Sequence, residues 1–181
     1  MTQNLIRLQD FAVTPWANGG GVTTELAAKR VGKHVVWRIS VARIDRDGPF
    51  SRFPGMSRVH TIIEGTGLDL LSDSGVLPAR PFLPVSFDGA LALNARLLGG
   101  PCRAFNVIYD SKVVVVVNVF ANDQEFEATA GEFVFVASGM AHMSDNTPLV
   151  AGDAMTLNAA VTVSPAAGAK ILRVCFNKIP S

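Results

Sequence analysis

Along most of this chain apolar and polar residues alternate with a period of two, and no long stretch repeats every three to four positions as an amphipathic helix would. Val35 to Ala42 reads Val-Val-Trp-Arg-Ile-Ser-Val-Ala, Glu132 to Val136 reads Glu-Phe-Val-Phe-Val, and Val113 to Val119 is β-branched at all but one position. Such runs predict short strands, because branched side chains pack well on a pleated surface and restrict a helix. Gly, Pro, Asp and Asn interrupt them at short intervals, as at Asp47-Gly48-Pro49, Glu64-Gly65-Thr66-Gly67, Asp88-Gly89, Asn122-Asp123 and Ala151-Gly152-Asp153. Many short strands joined by regular turns predict an all-β sandwich or barrel. Helical turns are an option only near Thr24 to Arg30, and that stretch also reads as a strand.

A weak internal repeat refines the architecture. His60 to Leu70 and Phe133 to Met143 each read as strand, small-residue turn, strand. The second copy is followed by Leu149 to Leu157, which resembles the turn and strand that close a cupin half, and the first by Pro84 to Leu91. The expected fold is therefore an all-β bicupin of two fused cupin-like β-barrels (RmlC-like jelly rolls). An N-terminal barrel with the ligand pocket is expected over residues 1–110 and a C-terminal barrel over 111–181, joined near Tyr109 to Lys112.

Composition narrows the partners. The 181 residues are 49% apolar and 17% charged, enough for a sizeable core. A formal charge of +1, no dense Lys/Arg run and a single Tyr argue against a nucleic-acid partner. The start of the chain has no cationic segment followed by an apolar one, and Val113 to Val117, the longest apolar run, is far too short to cross a bilayer. A cytoplasmic protein with a small-molecule ligand and no membrane partner is expected. Cys102 and Cys175 lie far apart with no Cys-x-x-Cys spacing, so both read as buried thiols rather than metal or redox groups.

Candidate chemistry concentrates in the first third. Thr14-Pro15-Trp16-Ala17-Asn18-Gly19-Gly20-Gly21 strips three consecutive residues of Cβ atoms, which serves either a tight barrel corner or a loop against a ligand. A metal site is not expected. Gly131, Gly139, His142 and Asn146 fall on the spacing of the second cupin motif, but that motif wants Pro where Ala137 stands, and the chain has three histidines in all. In the first half, with Ile63 to Gly67 as the cupin strand-turn, the usual ligating carboxylate position falls on Arg58. The usual His-x-His positions fall near Ser51 and Phe53. A guanidinium repels a cation and suits a carboxylate, because its planar fork donates two charge-assisted hydrogen bonds at once. No Gly-x-Ser-x-Gly elbow or Walker loop is present, so no catalytic residue and no cofactor is assigned.

Several spaced segments together resemble one family: Pro15 to Glu25, Trp37-Arg38-Ile39-Ser40-Val41-Ala42, Asp47 to Gly55, Arg58, Phe87-Asp88-Gly89 and Phe105-Asn106-Val107-Ile108. They are similar to the HutD/Ves family of bacterial bicupins. Three positions depart from its pattern: Ala17 and Thr24 where basic residues are usual, and Ala104 where an Asp is usual. The resemblance implies a metal-free bicupin of the histidine-utilisation context. Such a protein binds a small anionic pathway compound such as formylglutamate or urocanate and moderates the pathway, with no established reaction. The expected ligand-binding residues are Asn18, Arg38, Ser51, Arg58, His60 and Asn106. Arg38 and Trp37 alternate on one strand, so one faces the barrel interior; Arg38 is taken for the pocket and Trp37 for the core. Glu25 is a candidate to balance Arg38 or Arg58. The alternative is a cupin isomerase or hydrolase acting on a small carboxylate, with His60 as its titratable group. Exposed sheet edges are compatible with a homodimer.

Overall fold

The computed structural model describes residues 4–121 and 123–178, and they form antiparallel sheets with one short 3-10 turn at Leu8–Asp10. Two compact units are formed. The first runs from Ala12 to Val113; the second combines residues through Phe11 with those from Val114 onward.

In the first unit a six-stranded sheet runs in the order Val13–Pro15, Gly21–Val31, His34–Ile44, Cys102–Asp110, Met56–Glu64, Val85–Asp88. A four-stranded sheet of Gly48–Pro49, Asn94–Leu97, Leu68–Ser72 and Gly75–Ala79 accompanies it. Ile44, Ile62, Cys102 and Ala104 of the large sheet share one buried cluster with Leu68, Leu70, Ala79 and Ala95 of the small one. The core thus lies between the two sheets, built from every second residue of each strand. Thr24 to Arg30, where the sequence left helix and strand open, is strand: Gly21–Val31 pairs along its length with His34–Ile44 and absorbs two register shifts.

The second unit repeats the plan. Its five-stranded sheet runs Asn4–Arg7, Asp153–Thr156, Phe133–Ser138, Lys170–Lys178, Val113–Ala121, beside a sheet of Phe126–Ala128, Val161–Pro165, Met140–Met143 and Pro148–Val150. Val134, Val136, Ala141, Met143, Met155, Val163 and Ile171 are buried together between them. One boundary differs from the expectation: Asn4–Arg7, placed by the sequence in the N-terminal barrel, pairs antiparallel with Asp153–Thr156 and so completes the C-terminal one. No helix among the described residues is long and apolar enough to cross a membrane, which leaves membrane-crossing by strands unaddressed.

Candidate functional site

The register of three neighbouring strands in the first unit lays out a grid on the face that looks toward the core. Arg38 and Arg58 lie opposite Ile108 from either side; Ser40 and His60 flank Asn106 one step deeper; Ala42 and Ile62 flank Ala104 deeper still. Because side chains alternate across a strand, all nine project from the same side of the sheet. The deepest row merges with the apolar core, and the outer two carry the polar groups. Phe87, opposite Arg58 on the next strand, extends the outer row.

Asn106 organises the polar rows. Its Oδ1 accepts from Arg58 Nε at 3.1 Å, from Arg58 Nη2 at 2.7 Å and from His60 Nδ1 at 2.8 Å, while its Nδ2 donates to the Ala104 carbonyl at 3.3 Å. A carbonyl oxygen only accepts, so the His60 proton sits on Nδ1 and the lone pair on Nε2, which is buried without a partner. Burial, and then the neighbouring Arg58 charge, push the His60 pKa down to about 3, so the ring is neutral at physiological pH.

Arg58 is 6% exposed and has no carboxylate within ion-pair distance among the described residues. Its guanidinium lies 4.7 Å from the ring centre of Phe50 and 5.6 Å from that of Phe87. Burial first and the Arg38 charge second push its pKa down to about 9. Nε and Nη2 form the edge that faces Asn106, which leaves the opposite Nη1 and Nη2 edge unused by the protein.

A cavity of about 50 Å³ has Arg58 in its wall. The sheet contributes Thr23, Arg38, Ser40, Ala42, Arg58, Asn106 and Ile108 to its wall, and Trp16, Phe50, Ser51 and Phe53 complete it. Volume of this size admits a few water-sized groups, which is the headgroup of a small ligand rather than a large molecule. Arg38 stands at the rim with its side chain 31% exposed, 3.7 Å from Glu25 and 5.7 Å from the ring centre of Phe53. Glu25 is also bound by Arg30 at 3.1 Å, so it balances Arg38 and not Arg58.

Four of the six expected residues, Arg38, Ser51, Arg58 and Asn106, line the same cavity. His60 does not; it sits beside Asn106, on the side away from Ser40, and meets the cavity only through that amide and through an edge contact with Phe50 at 5.5 Å. Asn18 is elsewhere. Its Oδ1 accepts from Gly20 N at 2.9 Å and its Nδ2 donates to the Pro49 carbonyl at 3.4 Å, which fixes the turn rather than a ligand. The glycine triplet is accordingly a tight corner: a Cβ on Gly21 would overlap the Arg43 carbonyl oxygen, so only glycine lets the two strands approach. Trp37, expected in the core, is half-buried on the opposite face from Arg38. Ser40 and Thr23 were not singled out by the sequence, although Ser40 follows from Arg38 by the two-residue alternation. Phe50 and Phe53 carry no local signal of their aim, since they lie on an irregular segment.

A divalent cation does not match this donor set. Two guanidiniums face the cavity, and among the described residues no group of three or more His, Cys, Asp or Glu converges. His142 of the second unit is an exposed strand residue.

The HutD family model matches residues 8–172. The chain belongs to the HutD family. It is 32% identical over 146 residues to protein Ves of Escherichia fergusonii, covering 76% of this chain and 74% of that one. It is 41% identical over 111 residues to a 21.2 kDa Pseudomonas putida protein of the hutC 3' region, a match spanning 58% of this chain and 57% of the relative. Among solved structures, HutD from Pseudomonas fluorescens SBW25, in a formate condition, superposes with a TM-score of 0.84 at 28% identity, covering 97% of this chain and all of that one. Protein YlbA from Escherichia coli, with a TM-score of 0.76 at 9% identity over 99% of this chain and 93% of that one, shares the fold alone. The HutD chain here is thus a cupin-like all-β protein.

Proposed function

We propose that this HutD-family protein binds a small carboxylate in its first barrel, with Arg58 as the anchor. Its ligand is an anionic intermediate of histidine degradation, of the formylglutamate or urocanate type, and binding moderates histidine utilisation in the cytoplasm. One observation carries the reading: Arg58 is buried, lines a cavity, lacks any carboxylate partner among the described residues and spends only its Nε and Nη2 edge on the protein. A buried cation without an anion costs several kcal/mol, a cost that a bound carboxylate offsets by completing the fork. Asn106 holds the guanidinium from behind, so the fork is preset before a ligand arrives. Ser51 at the wall supplies a hydroxyl for the same headgroup. The Pseudomonas fluorescens HutD structure is described in a formate condition, and formate is the simplest carboxylate.

Binding is favoured over reaction by the placement of His60. Its Nδ1 is committed to Asn106 and its ring does not line the cavity, so no base stands at the headgroup site. The test is a thermal-shift and calorimetry panel of formylglutamate, urocanate, formate and unrelated small acids. A true ligand at one hundred times its Kd adds about 2.7 kcal/mol of stability. Arg58→Met is expected to abolish that shift. Failure of every panel member to shift the parent, or an equal shift in the variant, overturns the assignment.

A further inference from the structure

The outer row of the grid holds two cations. Arg38 and Arg58 are both opposite Ile108, two strand spacings apart, which places their Cα atoms about 10 Å from one another. They face one cavity, and among the described residues no carboxylate reaches Arg58. Arg38 is underbonded in its turn. Its Nε is buried without a hydrogen-bond partner, its approach to Glu25 is a long 3.7 Å, and Glu25 is already engaged by Arg30 at 3.1 and 3.4 Å. One half-exposed carboxylate outside the cavity therefore serves two of three arginines, and among the described residues the cavity wall holds two positive charges and no anion.

From this arrangement we infer that Arg38 is a specificity residue that reads a second negative charge on the ligand, so that the site selects dicarboxylates over monocarboxylates. This rests on Arg58 anchoring the first carboxylate. A ligand whose carboxylates are separated by two or three methylenes reaches from the free Nη1 and Nη2 edge of Arg58 to the rim, where Arg38 turns from Glu25 to the second carboxylate. Glu25 acts as the resident competitor: it holds Arg38 loosely in the absence of ligand and is displaced by a group that makes the two-donor contact Glu25 does not make. Phe53 under Arg38 keeps the guanidinium over the cavity during the exchange.

Isothermal calorimetry at pH 7.5 with succinate, glutarate, adipate and their monoamides separates the two charges, because each monoamide keeps the length and loses one carboxylate. The parent is expected to bind its best diacid roughly tenfold or more tightly than the matching monoamide, the size of one charge-assisted contact. Arg38→Gln is expected to bring the two within about threefold by weakening the diacid alone, and Arg38→Lys to keep part of the preference. Glu25→Gln removes the competitor and is expected to tighten the diacid. Thermal unfolding of each variant establishes that it is folded. Equal parental affinity for diacid and monoamide, or an Arg38→Gln variant that weakens both alike or keeps the full preference, overturns the role of Arg38 while leaving Arg58 in place. Failure of all six probes to bind the parent takes the Arg58 anchor down with it, and Arg58→Met then behaves as the parent does.

Discussion

Replacing Arg58 with Met separates a residue kept for a ligand from one kept for the fold. Holding the guanidinium pKa at about 9 rather than 12.5 corresponds to roughly 5 kcal/mol of unfavourable environment at neutral pH. Against it stand the donations to Asn106, about 1.5–3 kcal/mol, and the faces of Phe50 and Phe87, about 1–2 kcal/mol. Met fills much of the same space with apolar atoms, and Asn106 Oδ1 keeps its His60 donor. The variant is therefore expected to be more stable than the parent without ligand, by about 1 kcal/mol, or roughly 2–4 °C in Tm for a chain of this size. Differential scanning calorimetry in ligand-free buffer reads this directly. A fall of several degrees would mean that Arg58 supports the fold through its own contacts, and the reasoning that a buried, unpaired cation signals a missing anion would be refuted.

His60 has a pKa of about 3 in the fold against 6.5 in the unfolded chain, so on acidification through that window only the unfolded chain takes up the proton. Parental stability is expected to fall by up to about 1.4 kcal/mol per pH unit from this group, and His60→Leu to lack that slope; urea midpoints at pH 7 and pH 4.5 check it, and parallel pH profiles would count against a neutral buried ring. Gly21→Ala places a methyl on the Arg43 carbonyl oxygen and is expected to cost more than about 2 kcal/mol, read by urea unfolding, with an unchanged midpoint contradicting the close approach of the two strands.

The sequence made Arg58, Arg38 and Asn106 legible because strand alternation is a local property: a residue's side of the sheet follows from its neighbours two away. The same rule placed His60 on the face of Arg58, yet it says nothing about which neighbours stand between a residue and a cavity. His60 lies level with Asn106, on the side away from Ser40, and outside the cavity wall. Asn18 differs, since an Asn beside glycines binds its own backbone as readily as a ligand, and here its side chain accepts from Gly20 N. In sequence the glycine triplet suits a corner and a ligand loop equally; the Arg43 carbonyl beside Gly21 makes it a corner. The pairing of Asn4–Arg7 with Asp153–Thr156 has no local signal, because its partner lies at the far end of the chain.

That last pairing sets an order of assembly. Asn4 meets Thr156 only after nearly all of the chain has been synthesised, and the whole first unit lies inside the loop the pairing closes. If residues 12–113 collapse first, the free chain left to be drawn together is about a third of the original, which lowers the closure cost by about 1 kcal/mol. On a ribosome the first barrel can finish while the opening strand waits unpaired until Asp153–Thr156 has been made. A fusion partner that immobilises Asn4–Arg7 would thus be felt in the C-terminal barrel, as slow maturation of that unit after the first barrel has folded.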